Sequence, residues 1–302
     1  MDSLKKYINV RGKQIYVETH GADHLPKLLY LHGGPGSGCC DFTYFQSSIL
    51  SKSIQLITLD QRGIGRSEEL AETDDLALDD LVDDCEEIRK QLGINSWSVL
   101  GHSFGAMLVV LYATKYSDSL DKLIFECPTF DLELSAKSLL KGAFHEYEKK
   151  QNRVMMERCL EYIHGNQSSK ETWSMLMDLM NELGEDRENL YYKNTSPDVF
   201  NKIYREAYDS PNEMWEKQGL FQRKLYQDER LFESFLPLLE KIVHPALLIK
   251  GKYDWVASDD QVESFLKAVP YASFKQFENS GHFPHIEEKD EFAEAVSQFL
   301  NR

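Results

Sequence analysis

The pentapeptide Gly101-His102-Ser103-Phe104-Gly105 follows an apolar run at residues 96–100 and opens a second run, 106–111, that is apolar nearly all round. A serine on such a strand-to-helix turn has a strained backbone that lifts its hydroxyl above a sheet edge. That spacing suits a nucleophile; the other reading is a glycine-lined packing turn. A serine hydroxyl attacks poorly near neutral pH unless a histidine takes its proton and an acid orients that histidine. Asp254, just past the apolar run 246–250, and His282, in Ser280-Gly281-His282-Phe283-Pro284-His285, supply both in a workable order. Asp254 could instead be a solvated loop residue. His282 stands nearer the preceding strand than its competitor His285, and both could merely pack or cap the last helix.

Two further segments carry chemistry. In His32-Gly33-Gly34-Pro35-Gly36-Ser37-Gly38 the glycines free the backbone to aim N–H groups into a site. A Gly33 or Gly34 N–H, with that of Phe104, would hold the oxyanion of a tetrahedral intermediate. A plain turn is the alternative, while a phosphate loop would need G-K-[ST] or G-x-G-x-x-G. Asp60-Gln61-Arg62-Gly63-Ile64-Gly65-Arg66-Ser67 offers Arg62 and Arg66 either to a substrate carboxylate or to loop-bracing ion pairs with Asp60 or the acidic stretch after it.

These residues need a scaffold that brings them to one edge. Residues 6–10 and 13–18 alternate apolar and polar around Arg11-Gly12, which reads as a hairpin. Short apolar runs at 27–31, 54–59, 96–100, 123–125 and 246–250, and a further strand near 273–277, are separated mostly by helical stretches. That alternation predicts an α/β fold, a mostly parallel, doubly wound sheet with helices on both faces. Between 130 and 239 the strand signal disappears in favour of helical spacing, as in Met155, Cys159, Tyr162 and Trp173, Met177, Met180. The expected organisation is therefore a core of residues 1–129 and 240–302 carrying a helical cap of 130–239.

Composition limits the partners. Thirty-four basic against fifty acidic side chains leave a net charge of −16, which repels nucleic acid and anionic lipid. Residues 68–87 hold eleven carboxylates and no base, with Leu78, Leu81, Val82, Cys85, Ile88 and Leu92 at helical spacing within and just beyond them, so an amphipathic helix with a solvated acidic face is expected. Five cysteines without C-x-x-C spacing argue against a disulfide framework or structural zinc. Neither cofactor nor metal is expected. The start lacks a signal-peptide pattern and no long apolar run occurs, which predicts a cytoplasmic location.

The motif set His32 to Gly36, Asp60 to Ser67 and Gly101 to Gly105, with Tyr253-Asp254 and Gly281-His282, resembles the α/β-hydrolase fold and within it the proline iminopeptidase group of serine aminopeptidases. The resemblance covers residues 6–128 and 245–302. It implies a catalytic triad of Ser103, Asp254 and His282. It also implies that cap carboxylates bind the free α-amino group of a peptide, with Glu213 in Pro211-Asn212-Glu213 and Glu216 after Trp215 as candidates; both could equally be exposed helix positions. Phe104 stands where the group usually has tryptophan, and Trp255 where some members carry a second amine-binding glutamate. The expected activity is release of N-terminal proline, or another small apolar residue, from short peptides through an acyl-enzyme. An ester or lactone hydrolase with the same triad is the alternative, and a non-catalytic ligand-binding module the distant one.

Overall fold

A computed structural model describes residues 3–208 and 210–302. In chain order the regular elements begin with β1 (Ser3–Val10), β2 (Lys13–His20), β3 (Lys27–Leu31), α1 (Cys40–Leu50), β4 (Gln55–Leu59) and α2 (Leu78–Gln91). They continue with β5 (Trp97–His102), α3 (Gly105–Lys115), β6 (Leu120–Glu126), α4 (Leu132–Lys149), α5 (Arg153–His164), α6 (Ser169–Leu183), α7 (Pro197–Ala207) and α8 (Pro211–Leu225). The chain closes with β7 (Ala246–Gly251), α9 (Asp259–Ala268), β8 (Ala272–Phe277), α10 (Pro284–Glu287) and α11 (Lys289–Leu300). The eight strands form one sheet in the order β1-β2-β4-β3-β5-β6-β7-β8. β1 and β4 both pair antiparallel with β2, and every pairing from β4 to β8 is parallel, so β2 alone runs against the rest.

The two faces of the sheet follow from alternation along each strand. Leu29 and Leu31, Val99, Leu123 and Phe125, and Leu248 face one core, which is completed by α2, α3 and α9. Leu28 and Tyr30, Leu100, Ile124, and Leu247 and Ile249 face the other, completed by α1 and α11. A strand buried on both faces has no polar side, which is why these runs are continuously apolar in the sequence. α3 is buried from Gly105 through Ala113, as its all-round apolar composition requires.

The acidic stretch departs from expectation in one respect. α2 does bury Leu78, Leu81, Val82, Cys85 and Ile88, but Asp84 and Glu86 are buried with them. Asp84 accepts from Arg62 Nε at 2.5 Å, and Glu86 from Arg89 at 2.7 Å and the Tyr112 hydroxyl at 3.0 Å. Helical spacing separates inside from outside only for residues without a partner, and these two carboxylates enter because donors meet them.

Between β6 and β7 no strand interrupts the helices α4 to α8 among the described residues. α4, α5 and α6 share a small core of their own, with Leu139, Leu140, Cys159, Leu176 and Leu179, which also takes in Val256 from the loop after β7. α7 and α8 pack Ile203, Tyr208 and Met214 against Cys40 at the start of α1. Among the described residues no helix is long and apolar enough to cross a membrane.

Candidate active site

Ser103 occupies the turn between β5 and α3 with φ +54°, a conformation unfavourable for a residue with a side chain. The turn is held from below by its own backbone: Ser103 N–H donates to Glu126 O at 2.9 Å, and Ser103 O accepts from Ala106 at 3.0 Å and Thr129 at 3.2 Å. A side chain at Gly105 would meet Leu31 O at 2.2 Å, so β3 and α3 can approach this closely only because that position is glycine.

Asp254 and His282 come from the ends of β7 and β8. His282 Nδ1–H donates to Asp254 Oδ1 at 2.9 Å, which leaves Nε2 as the proton acceptor. Asp254 also accepts the N–H groups of Val256 at 2.9 Å and Ala257 at 3.1 Å. Burial alone would raise its pKa, yet the His282 ring and these donors outweigh that and hold the carboxyl below its usual range. The acid is thus kept anionic and fixed. His282 N–H donates to Tyr191 O at 2.7 Å, which ties the loop carrying His282 to the chain entering α7.

Gly33 lies against the serine turn: a Cβ there would stand 2.9 Å from His102 Nδ1 and 3.0 Å from Ser103 Cβ. Gly33, Gly34, Phe104, Ser103 and His282 all line one cavity of about 610 Å³ between the sheet edge and the α4–α8 segment. Its opposite walls are aromatic and apolar, with Trp173, Met177, Tyr192, Phe200, Tyr204 and Trp215. This size suits a small molecule or the end of a short peptide.

His285, unlike His282, does not line the cavity. Its Nδ1 and its backbone N–H both donate to Glu126 Oε1, at 2.8 and 3.0 Å, while Nε2 lies 3.9 Å from Asp41 Oδ2. Burial alone would depress its pKa, but Glu126 and Asp41 overcome this and push it up to about 9. His102 behaves oppositely: burial outweighs the opposing Glu126 charge and, with the neighbouring His282 and His285, pulls its pKa down to about 4, and its Nε2–H donates to His282 O at 2.9 Å. Glu126 therefore braces both halves of the site, its carbonyl holding the Ser103 turn and its carboxylate the loop after His282. The sequence run at 123–125 ended one residue short of it.

The arginines Arg62 and Arg66 do not line the cavity. Arg66 Nε donates to Asp60 at 2.7 Å and Arg62 pairs with Asp84, so both brace loops. Two buried sets, His102/Glu126/His285 and Cys127/Asp254/His282, place metal-type donor atoms within 4.8 Å of one another. In each, an imidazole N–H already meets a carboxylate oxygen.

Glu213 and Glu216 are corrected by this geometry. Both are exposed on α8, and neither lines the cavity. The inward positions of that helix are Met214, buried against α7, and Trp215, Gln218 and Gln222, which reach the cavity. The carboxylates that do line it are Asp41 and Glu188. Neither was singled out by motif: Asp41 is an acid in the first turn of a helix, an ordinary feature of sequences, and Glu188 is one of several acids in the stretch 184–190.

Residues 26–289 match the family model described as the alpha/beta hydrolase fold. The chain is 28% identical to a proline iminopeptidase of Heyndrickxia coagulans, over 91% of this chain and 90% of the relative. It is 27% identical to that of Saccharolobus solfataricus, over 98% and 92%. Among solved structures, the proline iminopeptidase of Mycobacterium smegmatis superposes with a TM-score of 0.73 at 19% identity, covering 99% and 98% of the two chains. An esterase of Exiguobacterium antarcticum does so at 0.69, also at 19% identity, covering 99% and 100%.

Proposed function

The chain belongs to the alpha/beta hydrolase fold family, and on that premise we propose that it is a serine aminopeptidase releasing N-terminal proline or another small apolar residue from short peptides. The observation that carries the reading is the Asp254–His282 pair, 2.9 Å apart, at the wall of the cavity that Ser103 also lines. Support for a peptidase over other hydrolases comes from relatives named proline iminopeptidase that align over nearly their whole length.

His282 Nε2 takes the Ser103 proton as the hydroxyl attacks the scissile carbonyl carbon. Asp254, anionic and pinned by backbone donors, keeps the imidazole in the required tautomer and stabilises its cation. The N–H groups of Phe104 and of Gly33 or Gly34 receive the oxyanion. As the tetrahedral intermediate collapses, the imidazolium protonates the leaving amine, and an acyl-enzyme remains. Water, deprotonated by the same imidazole, attacks the ester and regenerates Ser103. No cofactor enters these steps.

Residues 130–239 act as a cap over the core of 1–129 and 240–302, limiting entry to chain ends and small molecules. The backbone tie from His282 to Tyr191 couples that cap to the base. A reducing, cytoplasmic setting goes with five free cysteines, all buried and all pushed by burial above the ordinary thiol range.

The test is a substrate panel with purified protein. Arylamine release from prolyl or alanyl arylamides, lost when the amine is blocked, is the expected result. Activity confined to aryl or acyl esters would replace this reading with carboxylic ester or lactone hydrolysis.

A further inference from the structure

The loop that carries His282 is clamped to the helical segment above it by one carboxylate. Glu287 closes α10, the short helix that follows His282, and its Oε1 accepts the N–H groups of Lys193 at 2.6 Å and Asn194 at 2.5 Å. Its Oε2 accepts the Gly281 N–H at 2.6 Å. A single half-buried side chain thus joins two distant stretches of chain, one in the cap and one beside the base. The same seam is tied at three further points. His282 N–H donates to Tyr191 O at 2.7 Å, the Asn194 side-chain amide donates to Asn279 O, and Lys193 Nζ stands 4.2 Å from the centre of the Tyr253 ring. The two backbones can lie this close because position 281 is glycine: a Cβ there would collide with Tyr191 O.

Glu288, the next residue, has a different reach. Its Oε2 accepts the Asn279 N–H at 2.9 Å and the Ser280 hydroxyl at 2.6 Å, so it braces the loop before His282. Among the described residues no hydrogen bond joins Glu288 to the cap. A carboxylate suits the bridge at 287 because it only accepts, and the three N–H groups it meets only donate. An amide in its place would turn its NH2 toward an N–H, either on the cap side or on the Gly281 side, and one half of the bridge would open.

We propose that Glu287 is a positioning residue for the general base: by joining Lys193 and Asn194 of the cap to Gly281, it makes a seated cap and an aligned His282 one and the same state. This rests on the reading of His282 as the base, and not on which acyl group Ser103 attacks. With the cap seated, Tyr191 O holds the His282 N–H, Glu287 holds the N–H before it, and Asp254 holds the ring. With the cap lifted, the His282 N–H loses its acceptor and Glu287 loses two of its three donors. The imidazole is then held by Asp254 alone, and its alignment for proton transfer is lost.

Glu287→Gln, Asn194→Ala, the double variant and Glu288→Gln are compared with wild type in two assays. The first measures kcat and KM on whichever of prolyl arylamide and acyl ester the wild type cleaves. The second follows, by NMR, hydrogen exchange of the His282 backbone N–H, a group that Glu287 does not itself bond. Glu287→Gln is expected to lose about 100-fold in kcat with KM little changed, because the cavity walls on α6 and α8 stay in place. Its His282 N–H should exchange at least about tenfold faster. Asn194→Ala should show both effects more weakly, and the double variant should lose less than the product of the two, because both open one seam. Glu288→Gln should keep kcat and His282 exchange near wild type, even where unfolding shows it as destabilised as Glu287→Gln.

Unchanged His282 exchange or unchanged kcat in folded Glu287→Gln overturns the proposal. Equal loss of kcat in Glu288→Gln does so too, since it would make Glu287 an ordinary brace of the loop. If Glu287→Gln does not fold, the exchange rate in Asn194→Ala, an exposed position, decides in its place. A wild type that cleaves neither substrate and leaves Ser103 unlabelled by a fluorophosphonate would overturn the reading of the triad instead. The exchange assay would still show whether the cap and the His282 loop move as one.

Discussion

The carboxyl edge of the sheet and the helices that cover it contribute to one cavity under different constraints. At the sheet edge each functional group stands in the turn that directly follows a strand, one to five residues past its end, so turn chemistry and position are coupled. Ser103 follows β5, Asp254 follows β7 and His282 follows β8. In α4 to α8 a lining residue is only one member of a buried stripe, and the stripe records that something covers it without recording what. Trp173 and Met177 on α6 belong to the same periodic pattern whether they face the cavity or the small core of α4 and α5. The two regions teach that a strand end locates chemistry, whereas a helix face locates only burial.

The largest expected effect falls on the sheet edge. Asp254→Asn, which leaves the hydrogen-bonding shape but frees the wrong imidazole tautomer, should lower kcat by about 10⁴-fold with KM little changed. Steady-state kinetics check it, and a loss below tenfold would break the contrast by removing Asp254 from the machinery.

Next comes the helical segment. Leu176→Ala, which empties part of the buried α4–α6 cluster, should cost about 2–5 kcal/mol of stability by denaturant unfolding. Covalent reactivity at Ser103 should stay near wild type in the folded variant. Equal damage to Ser103 would mean that the two regions are not separable.

The smallest effect is on the pH dependence of stability, and it sharpens what each side of the site contributes. His285, with its pKa raised to about 9, favours the fold while protonated. That contribution is complete below pH 6.5 and is lost as pH rises through about 9, at most about 3 kcal/mol. His102, lowered to about 4, acts in the acid range: as pH falls from 6.5 toward 4 the unfolded chain takes a proton that the fold refuses, and stability drops. Glu126→Gln should flatten the alkaline limb measured by unfolding at several pH values, and carry the acid limb further down, because the Glu126 charge also holds the His102 pKa up.

Much of the fold was legible in the sequence, because strands buried on both faces must read as short apolar runs. The opening hairpin, the parallel strands from 27–31 onward and the helical interruption near 130–239 are visible in that pattern. Ser103 with its flanking glycines, Asp254 and His282 could be nominated for the same reason. Asp41, Glu126 and Glu188 could not, since no spacing rule distinguishes a buried acid from a solvated one. Glu126 left the one usable trace, an acid closing an apolar strand. Glu213 and Glu216 failed for the complementary reason: their segment matched a family pattern, but the face of α8 that turns inward carries Met214 and Trp215, and the glutamates fall on the other side.

The most direct measurement is covalent labelling of the folded protein with a fluorophosphonate, followed by peptide mass spectrometry, for wild type, Ser103→Ala and His282→Ala. A single adduct on Ser103 is expected, absent in Ser103→Ala and slowed by at least about 10³-fold in His282→Ala. An unreactive Ser103 in folded wild-type protein, or an adduct on another residue, would contradict a serine nucleophile at this site.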